Sequence, residues 1–201
     1  MEETLVFIDG GFISKLSKHF GEGNYLKFDL IEFAKLLGKK QNLCAKKTFY
    51  YTAPPFQSNP PTEQQIKKKK GYDKFINNFK GNEFFIVKEG RVQRIINKYG
   101  KEDFKQKGVD SLMTAGLISV AIKFPKIKKI ILVTSDTDFC PILKDLEELK
   151  IEVILYTYYE KKRDSRFSVS HHLIDCCKKV YFLNKEDFTS CSIIKSKKET
   201  K

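Results

Sequence analysis

The 201-residue chain lacks several features that mark common protein classes. It has no Trp, 6 Pro and 11 Gly, which argues against a fibrous or low-complexity protein. No stretch approaches the roughly 18 consecutive apolar residues of a membrane span. The first residues, MEE, are acidic, whereas a secretory signal is basic. We therefore expect a soluble, cytoplasmic protein without a membrane segment.

Cysteine and histidine are also scarce, and their spacing along the chain suggests no site. The 5 Cys are odd in number, and no two of them stand in the C-x-x-C spacing of a zinc knuckle or a redox pair. Such cysteine usage is typical of a reducing compartment. The 3 His lack the spacing of metal ligands among themselves, so we expect them at the surface.

Acidic residues are outnumbered by basic ones. The chain has 38 Lys and Arg against 25 Asp and Glu, which gives a net charge of +13. This excess favours a polyanionic partner such as nucleic acid or an anionic membrane surface, although lysine can also serve solubility alone. Apolar residues make up 41% of the chain, which suffices for one dense core, with or without an inserted subdomain.

Apolar strand patterns alternate with helical patterns along the chain. The strand patterns cover residues 4–8, 48–52, 83–87, 129–134, 151–157 and 180–183. The helical patterns cover residues 28–38, 62–80, 108–124, 139–149 and 169–178. This alternation predicts an α/β fold whose parallel sheet is covered by helices on both faces. The segment FFIVK-EG-RVQRI also predicts a β-hairpin with a two-residue turn.

Acidic residues follow the two most apolar strand patterns. Asp9 comes after TLVFI, and Asp136 and Asp138 come after KIILVT. Because ligands bind beyond the carboxyl ends of parallel strands, we expect these acids at one ligand-binding edge. Clustered carboxylates repel one another unless a cation or a proton relieves the repulsion, and hard oxygen ligands select Mg²⁺ or Mn²⁺. The pattern predicts metal-assisted hydrolysis of a phosphodiester.

Helix capping is the alternative role for these acids. An Asp after a strand often caps the next helix, and Asp138 stands where it could do so. For Asp9 we expect no capping role, since Gly10 and Gly11 separate it from any helix start and leave room for a ligand. Neither glycine-rich nucleotide motif is present, so no nucleotide cofactor is expected.

Three segments resemble, in order and spacing, the motifs of the NYN domain family of PIN-like ribonucleases: VFIDGG, KGVDSLMTAGLI and ILVTSDTDFCPILKDLEELKIEVILY. The resemblance implies a PIN-like three-layer α/β/α sandwich with a mainly parallel central sheet. It also implies a Mg²⁺- or Mn²⁺-dependent endoribonuclease that hydrolyses single-stranded or loop RNA. The implied catalytic and metal-binding residues are Asp9, Asp110, Asp136 and Asp138, with Thr134 and Ser135 in support.

Two positions depart from the family pattern. Phe12 stands where members commonly carry Asn, and Gly116 stands where they commonly carry a further Asp. Gly116 lies in a predicted helix, where glycine costs about 1 kcal/mol relative to alanine, so either close packing or the loss of an acid explains it. We expect the loss, and hence that Gly116→Asp raises activity.

Two other functions stay open. One is a catalytically weakened RNA-binding or regulatory module of the same fold. The other is a phosphatase of small phosphoesters, against which the net charge argues because a small substrate needs no extended basic surface. The sequence leaves the oligomeric state open, a homodimer included.

Basic residues near aromatic ones suit single-stranded RNA, because cations bind the backbone while rings stack on bases. The chain divides into a nuclease domain at 1–190, a basic insert within it at 54–105, and a basic tail at 191–201 that we expect to be disordered. The expected RNA-binding residues are Arg91, Arg94, Lys105, Lys107, Arg163 and Arg166.

Overall fold

The computed structural model describes residues 1–96, 98–100, 102–161, 167 and 171–193. Within these ranges no helix is long and apolar enough to cross a membrane. The strands are β1 (Glu2–Asp9), β2 (Leu43–Thr52), β3 (Phe85–Glu89), β4 (Arg91–Ile96), β5 (Glu102–Lys107), β6 (Lys129–Val133), β7 (Glu152–Thr157) and β8 (Lys179–Phe182). The helices are α1 (Gly10–Phe20), α2 (Leu30–Lys40), α3 (Glu63–Asn77), α4 (Val109–Ile118), α5 (Val120–Lys123), α6 (Cys140–Glu148), α7 (His171–Asp175) and α8 (Lys185–Thr189), with a 3₁₀ turn at Thr137–Phe139.

Six parallel strands form the central sheet in the order β3-β2-β1-β6-β7-β8. The chain runs outward from β1 through β2 and β3, then returns to β6 on the other side of β1. The strand order therefore reverses between β1 and β6, which is where open parallel sheets bind ligands. The pairing of Ile8 with Val133 brings the ends of these two strands side by side.

Helices cover both faces of the sheet, because the buried strands are apolar on both sides. In β1, Leu5 and Phe7 face one core, which is built largely from α4 and α6. Val6 and Ile8 face the other, which is built largely from α1 and α2. The predicted three-layer α/β/α sandwich with a parallel central sheet is confirmed.

The predicted hairpin between the segments FFIVK and RVQRI is wrong. β3 pairs in parallel with β2, whereas β4 pairs antiparallel with β5 in a separate two-stranded sheet. At the junction the Gly90 N–H donates to the Thr52 carbonyl at 2.8 Å. A methyl group on Gly90 would lie 2.6 Å from the Lys107 carbonyl oxygen. The chain therefore leaves the main sheet at Gly90. The Gly90 backbone packs so closely on the end of β5 that a side chain would not fit there.

Secondary structure among the described residues crosses both predicted domain boundaries. β3 lies inside the segment 54–105, yet it is a strand of the main sheet. Beyond residue 190, Cys191 is buried and Ser192 forms an antiparallel bridge with Phe28. Residues 194–201 lie outside the described residues. The division into domain, insert and tail stays a prediction.

Gly116 lies on the side of α4 that packs against the sheet. A methyl group there would lie 2.0 Å from the Tyr51 hydroxyl oxygen and 3.5 Å from the Phe7 ring. The Tyr51 ring is 1% exposed and stacks on Phe7 with 6.3 Å between centroids, so it has little freedom to move aside. The structure therefore supports close packing, and not a lost acid, as the reason for glycine at this position.

We predict that Gly116→Ala lowers the free energy of unfolding by about 1–3 kcal/mol, the usual cost of overpacking a core. Thermal melts should show Tm falling by roughly 3–10 °C. Tyr51→Phe removes the clashing oxygen, so the double variant Tyr51→Phe/Gly116→Ala should recover part of the loss. Equal losses in the single and double variants would refute the packing explanation.

Candidate metal-binding site

Asp9 ends β1 and caps α1. Its Oδ1 accepts hydrogen bonds from the backbone N–H groups of Gly11 (2.8 Å) and Phe12 (3.1 Å). The expectation that two glycines separate Asp9 from a helix is therefore wrong. Gly10 is instead required by packing, since a methyl group there would lie 2.7 Å from the Tyr50 hydroxyl oxygen. The side chain of Phe12, which stands at the family's Asn position, is buried in the core.

Thr134 couples the ends of β1 and β6. Its hydroxyl donates to Asp9 Oδ2 at 3.4 Å and accepts from the Asp136 N–H at 3.2 Å. The residue is fully buried, so this hydroxyl is shielded from bulk solvent. The neighbouring Ser135 is partly buried. Thr134 thus links Asp9 to Asp136, and its supporting role in catalysis stays a prediction.

Asp136 performs the capping that the sequence analysis considered for Asp138. Its Oδ1 accepts from the Asp138 N–H at 2.9 Å and so caps the 3₁₀ turn. Asp138 lies within that turn with an exposed side chain. Asp9 and Asp136 each use Oδ1 for a cap, while Oδ2 of Asp9 has only the long hydrogen bond from Thr134 and Oδ2 of Asp136 is not used in its cap. Capping and metal binding are therefore compatible.

Asp110 brings a fourth carboxylate from a different segment. It lies in the first turn of α4, after Gly108 in the left-handed region at φ 78°. Partial loss of solvent around this largely exposed carboxyl, followed by the charges of Asp136 and Asp138, raises the pKa of Asp110. Burial also raises the pKa of Asp9, and the Asp110 charge adds to this while two backbone N–H groups and Lys15 oppose it. The negative charge of Asp110 thus interacts with the charges of the other three predicted acids.

The donor set fits a hard cation. Carboxylate oxygens suit Mg²⁺ and Mn²⁺, and a divalent ion would relieve the repulsion that raises these pKa values. Among the described residues, which include all four acids, no three of the acids have carboxylate oxygens within 4.8 Å of one another. Mg²⁺ commonly binds through one or two carboxylates and keeps several waters. The spacing therefore fits an ion that is held partly through water.

Two polar residues near Asp9 were not predicted. Lys15, exposed on α1, is close enough to lower the pKa of Asp9. The side-chain amide of Gln106 lies beside Gly11. A methyl group added to Gly11 would be 3.5 Å from the amide oxygen of Gln106. Gln106 belongs to β5, whose sequence EDFKQK has no apolar alternation, so the sequence carried no signal for it.

Four of the predicted RNA-binding residues lie on the β4–β5 hairpin. All four are exposed. Arg91 is opposite Lys107, and the alternation of side chains places Lys105 on the same face as these two. Arg94 lies on the other face and pairs with Glu102 at 3.2 Å. The remaining two, Arg163 and Arg166, lie outside the described residues.

We predict that Asp110→Asn raises the Tm of the metal-free protein at neutral pH. A carboxyl whose pKa is raised by folding destabilises the fold when it is ionised, so the benefit should shrink as pH falls and wild-type Asp110 becomes protonated. The gain should stay below about 1 kcal/mol because the side chain is exposed. Melts at several pH values with EDTA check this, with the exposed Asp145→Asn on α6 as control. An unchanged Tm at neutral pH would contradict the repulsion.

Comparison with known proteins supports the fold and gives the family. Four chains of solved structures are similar, among them a protein of unknown function from Vibrio parahaemolyticus. That protein is 19% identical, with a TM-score of 0.57 over 93% of this chain and 96% of its own, a likeness that shows the fold alone. No curated protein matches the chain.

The NYN domain family matches residues 3–184. Because this match covers nearly the whole chain, the protein belongs to the NYN domain family, a nuclease-type family of PIN-like proteins that typically use divalent metals.

Proposed function

We propose that the protein is a Mg²⁺- or Mn²⁺-dependent endoribonuclease that acts on single-stranded or loop RNA. The observation that carries the proposal is the convergence of Asp9, Asp110, Asp136 and Asp138 where the strand order reverses, in a chain of the NYN family. A metal bound there would supply an activated water and would neutralise charge on the phosphate. The basic excess of the chain agrees with RNA as the polyanion.

Different side chains would bind the metal and the RNA in this reaction. Oδ1 of Asp9 and Oδ1 of Asp136 are each held in a cap, so Oδ2 of these two residues would serve as ligands with little freedom to move. Asp110 and Asp138 are more exposed and add negative charge at the rim. The ammonium group of Lys15 would bind the phosphate next to the cleaved bond, and the amide of Gln106 would position the ribose beside Asp9.

The β4–β5 hairpin supports an RNA path that leads to these acids. The face with Arg91, Lys105 and Lys107 carries three cations, while Gln106 on the other face reaches the Asp9–Gly11 turn. A strand of RNA bound on the cationic face would therefore pass around the edge of the hairpin to reach the acidic site. The second candidate, a weakened RNA-binding module, is favoured by Gly116, where packing excludes the family's further acid.

We predict that Asp136→Asn slows cleavage of a labelled single-stranded RNA on the order of 10³-fold, equal to a loss of about 4 kcal/mol of transition-state stabilisation. Asn is as good a helix cap as Asp, so the turn should stay folded. EDTA should abolish the wild-type reaction, and Mn²⁺ should restore it. Asp145→Asn serves as the control at an exposed carboxylate on α6, outside the predicted set of four acids.

The outcomes separate the two candidates. Cleavage by Asp136→Asn at the wild-type rate in saturating Mg²⁺ would contradict the role of Asp136. Wild-type protein that binds RNA but does not cleave it with either metal would favour the weakened module. Circular dichroism of each variant shows whether a lost rate reflects a lost fold.

We predict that RNA affinity depends on salt through the hairpin. Each phosphate neutralised on a single strand adds about −0.7 to the slope of log K against log salt. The triple variant Arg91→Glu/Lys105→Glu/Lys107→Glu should therefore lower the magnitude of this negative slope by about 2. Lys123→Glu/Lys126→Glu/Lys128→Glu is the matched control, because these three exposed lysines precede β6 at the opposite edge of the sheet. A larger effect of the control than of the hairpin variant would place the RNA elsewhere.

A further inference from the structure

Cys140, two residues after Asp138, meets a histidine and a cysteine of a helix that is distant in sequence. One ligand atom from each of Cys140, His172 and Cys176 lies within 4.8 Å of the other two. Within the described part of the chain, these three form the one such group of Cys, His, Asp or Glu donors. The sequence spacing gave no hint of it, since Cys140 belongs to a different helix from the other two.

Local structure explains why these side chains converge. The Cys176 N–H donates to the His172 carbonyl at 3.2 Å, so the last turn of α7 extends to Cys176. Residues four apart on a helix share one face, the spacing by which helices commonly present two metal ligands. Cys140 begins α6, and its Sγ lies 3.7 Å from the His172 carbonyl oxygen, which joins the two helices.

The size and chemistry of the group fit a soft divalent ion. Zn²⁺ binds Cys sulfur at about 2.3 Å and His nitrogen at about 2.0–2.1 Å, so tetrahedral ligands around it lie about 3.6–3.8 Å apart. The three side chains would have to close by only about 1 Å from their present limit of 4.8 Å. Thiolate and imidazole ligands select zinc over the hard cations that carboxylates prefer.

Burial varies across the group in a way that leaves one side open. Cys140 is 1% exposed, Cys176 is partly buried, and His172 is exposed. Metal can therefore arrive from solvent on the His172 side, where a water can supply the fourth ligand. Burial, and then the neighbouring Cys176, raise the pKa of the Cys140 thiol to about 12, so a bound metal would have to displace its proton.

We propose that Cys140, His172 and Cys176 form a zinc site, distinct in chemistry from the acidic site. Bound Zn²⁺ would fasten α7 to the first residue of α6. That residue follows Asp138 by two positions, so the ion would hold in place the turn that carries Asp136 and Asp138.

Co²⁺ is the probe that tests this site, because it replaces Zn²⁺ and shows its ligands in its absorption spectrum. Reduced, chelator-treated protein titrated with Co²⁺ should develop a thiolate-to-cobalt charge-transfer band and the visible bands of tetrahedral Co²⁺, saturating at one equivalent. Zn²⁺ should then remove both. Carboxylates produce no thiolate band, so Asp136→Asn should keep it. Absence of a thiolate band in the reduced wild-type protein would overturn the proposal.

Variants test the individual ligands. Cys140→Ser and Cys176→Ser should each weaken Co²⁺ binding on the order of 100-fold or more, while Cys44→Ser, an exposed cysteine on β2, should leave it unchanged. His172→Ala adds a variant at an exposed position, where loss of the fold is not expected; it should keep the thiolate band but weaken binding and shift the visible bands. Equal binding by His172→Ala and wild type would overturn the role of His172.

Stability provides a readout that does not depend on nuclease activity. When free Zn²⁺ exceeds its Kd about 100-fold, Tm of the wild-type protein should rise by roughly 5–10 °C. The rise should persist in Asp136→Asn and disappear in Cys176→Ser. A rise that persists in Cys176→Ser would assign the zinc to the acids and overturn the proposed site.

Discussion

The parallel pairing of β1 with β6 is the constraint on which the candidate site depends. These are the two central strands, buried on both faces, so their backbone groups find partners only in the sheet. Their register is fixed because a slip of one residue would turn every apolar side chain to the wrong core. That register puts Asp9 beside Thr134, and the rest of the acidic site is assembled around this pair.

Apolar patterning predicted the parts of the molecule that burial controls. The strands that became β1, β6 and β7 are continuous apolar runs, and the acids after β1 and β6 follow from where those runs end. β5 escaped prediction because all six of its residues are exposed, so no alternation marks it. Without β5, β4 was paired with the wrong strand, and the hairpin near Asp9 could not be foreseen.

Other features escaped because they depend on contacts between distant residues. Gly116 resembled a lost acid until the Tyr51 ring, 65 positions earlier, was found to fill the space beside it. The two glycines after Asp9 resembled a flexible loop, although Gly10 is tightly enclosed by Tyr50 and the Tyr51 carbonyl. Cys140 and Cys176 meet only because α6 and α7 cover the same face of the sheet. Sequence spacing predicts which residues are neighbours within one helix or strand, but it does not predict contacts between residues of different elements.

The caps made by Asp9 and Asp136 affect how this protein could change over evolution. Both carboxylates stabilise a helical turn, so selection for stability alone would retain them, or Asn in their place, in a descendant without the proposed nuclease activity. The side chains of Asp110 and Asp138 make no hydrogen bond or ion pair within the described residues, and repulsion disfavours the charge on Asp110. Their replacement in a relative would therefore be the earlier sign of lost catalysis, whereas retention of Asp9 would say little about it.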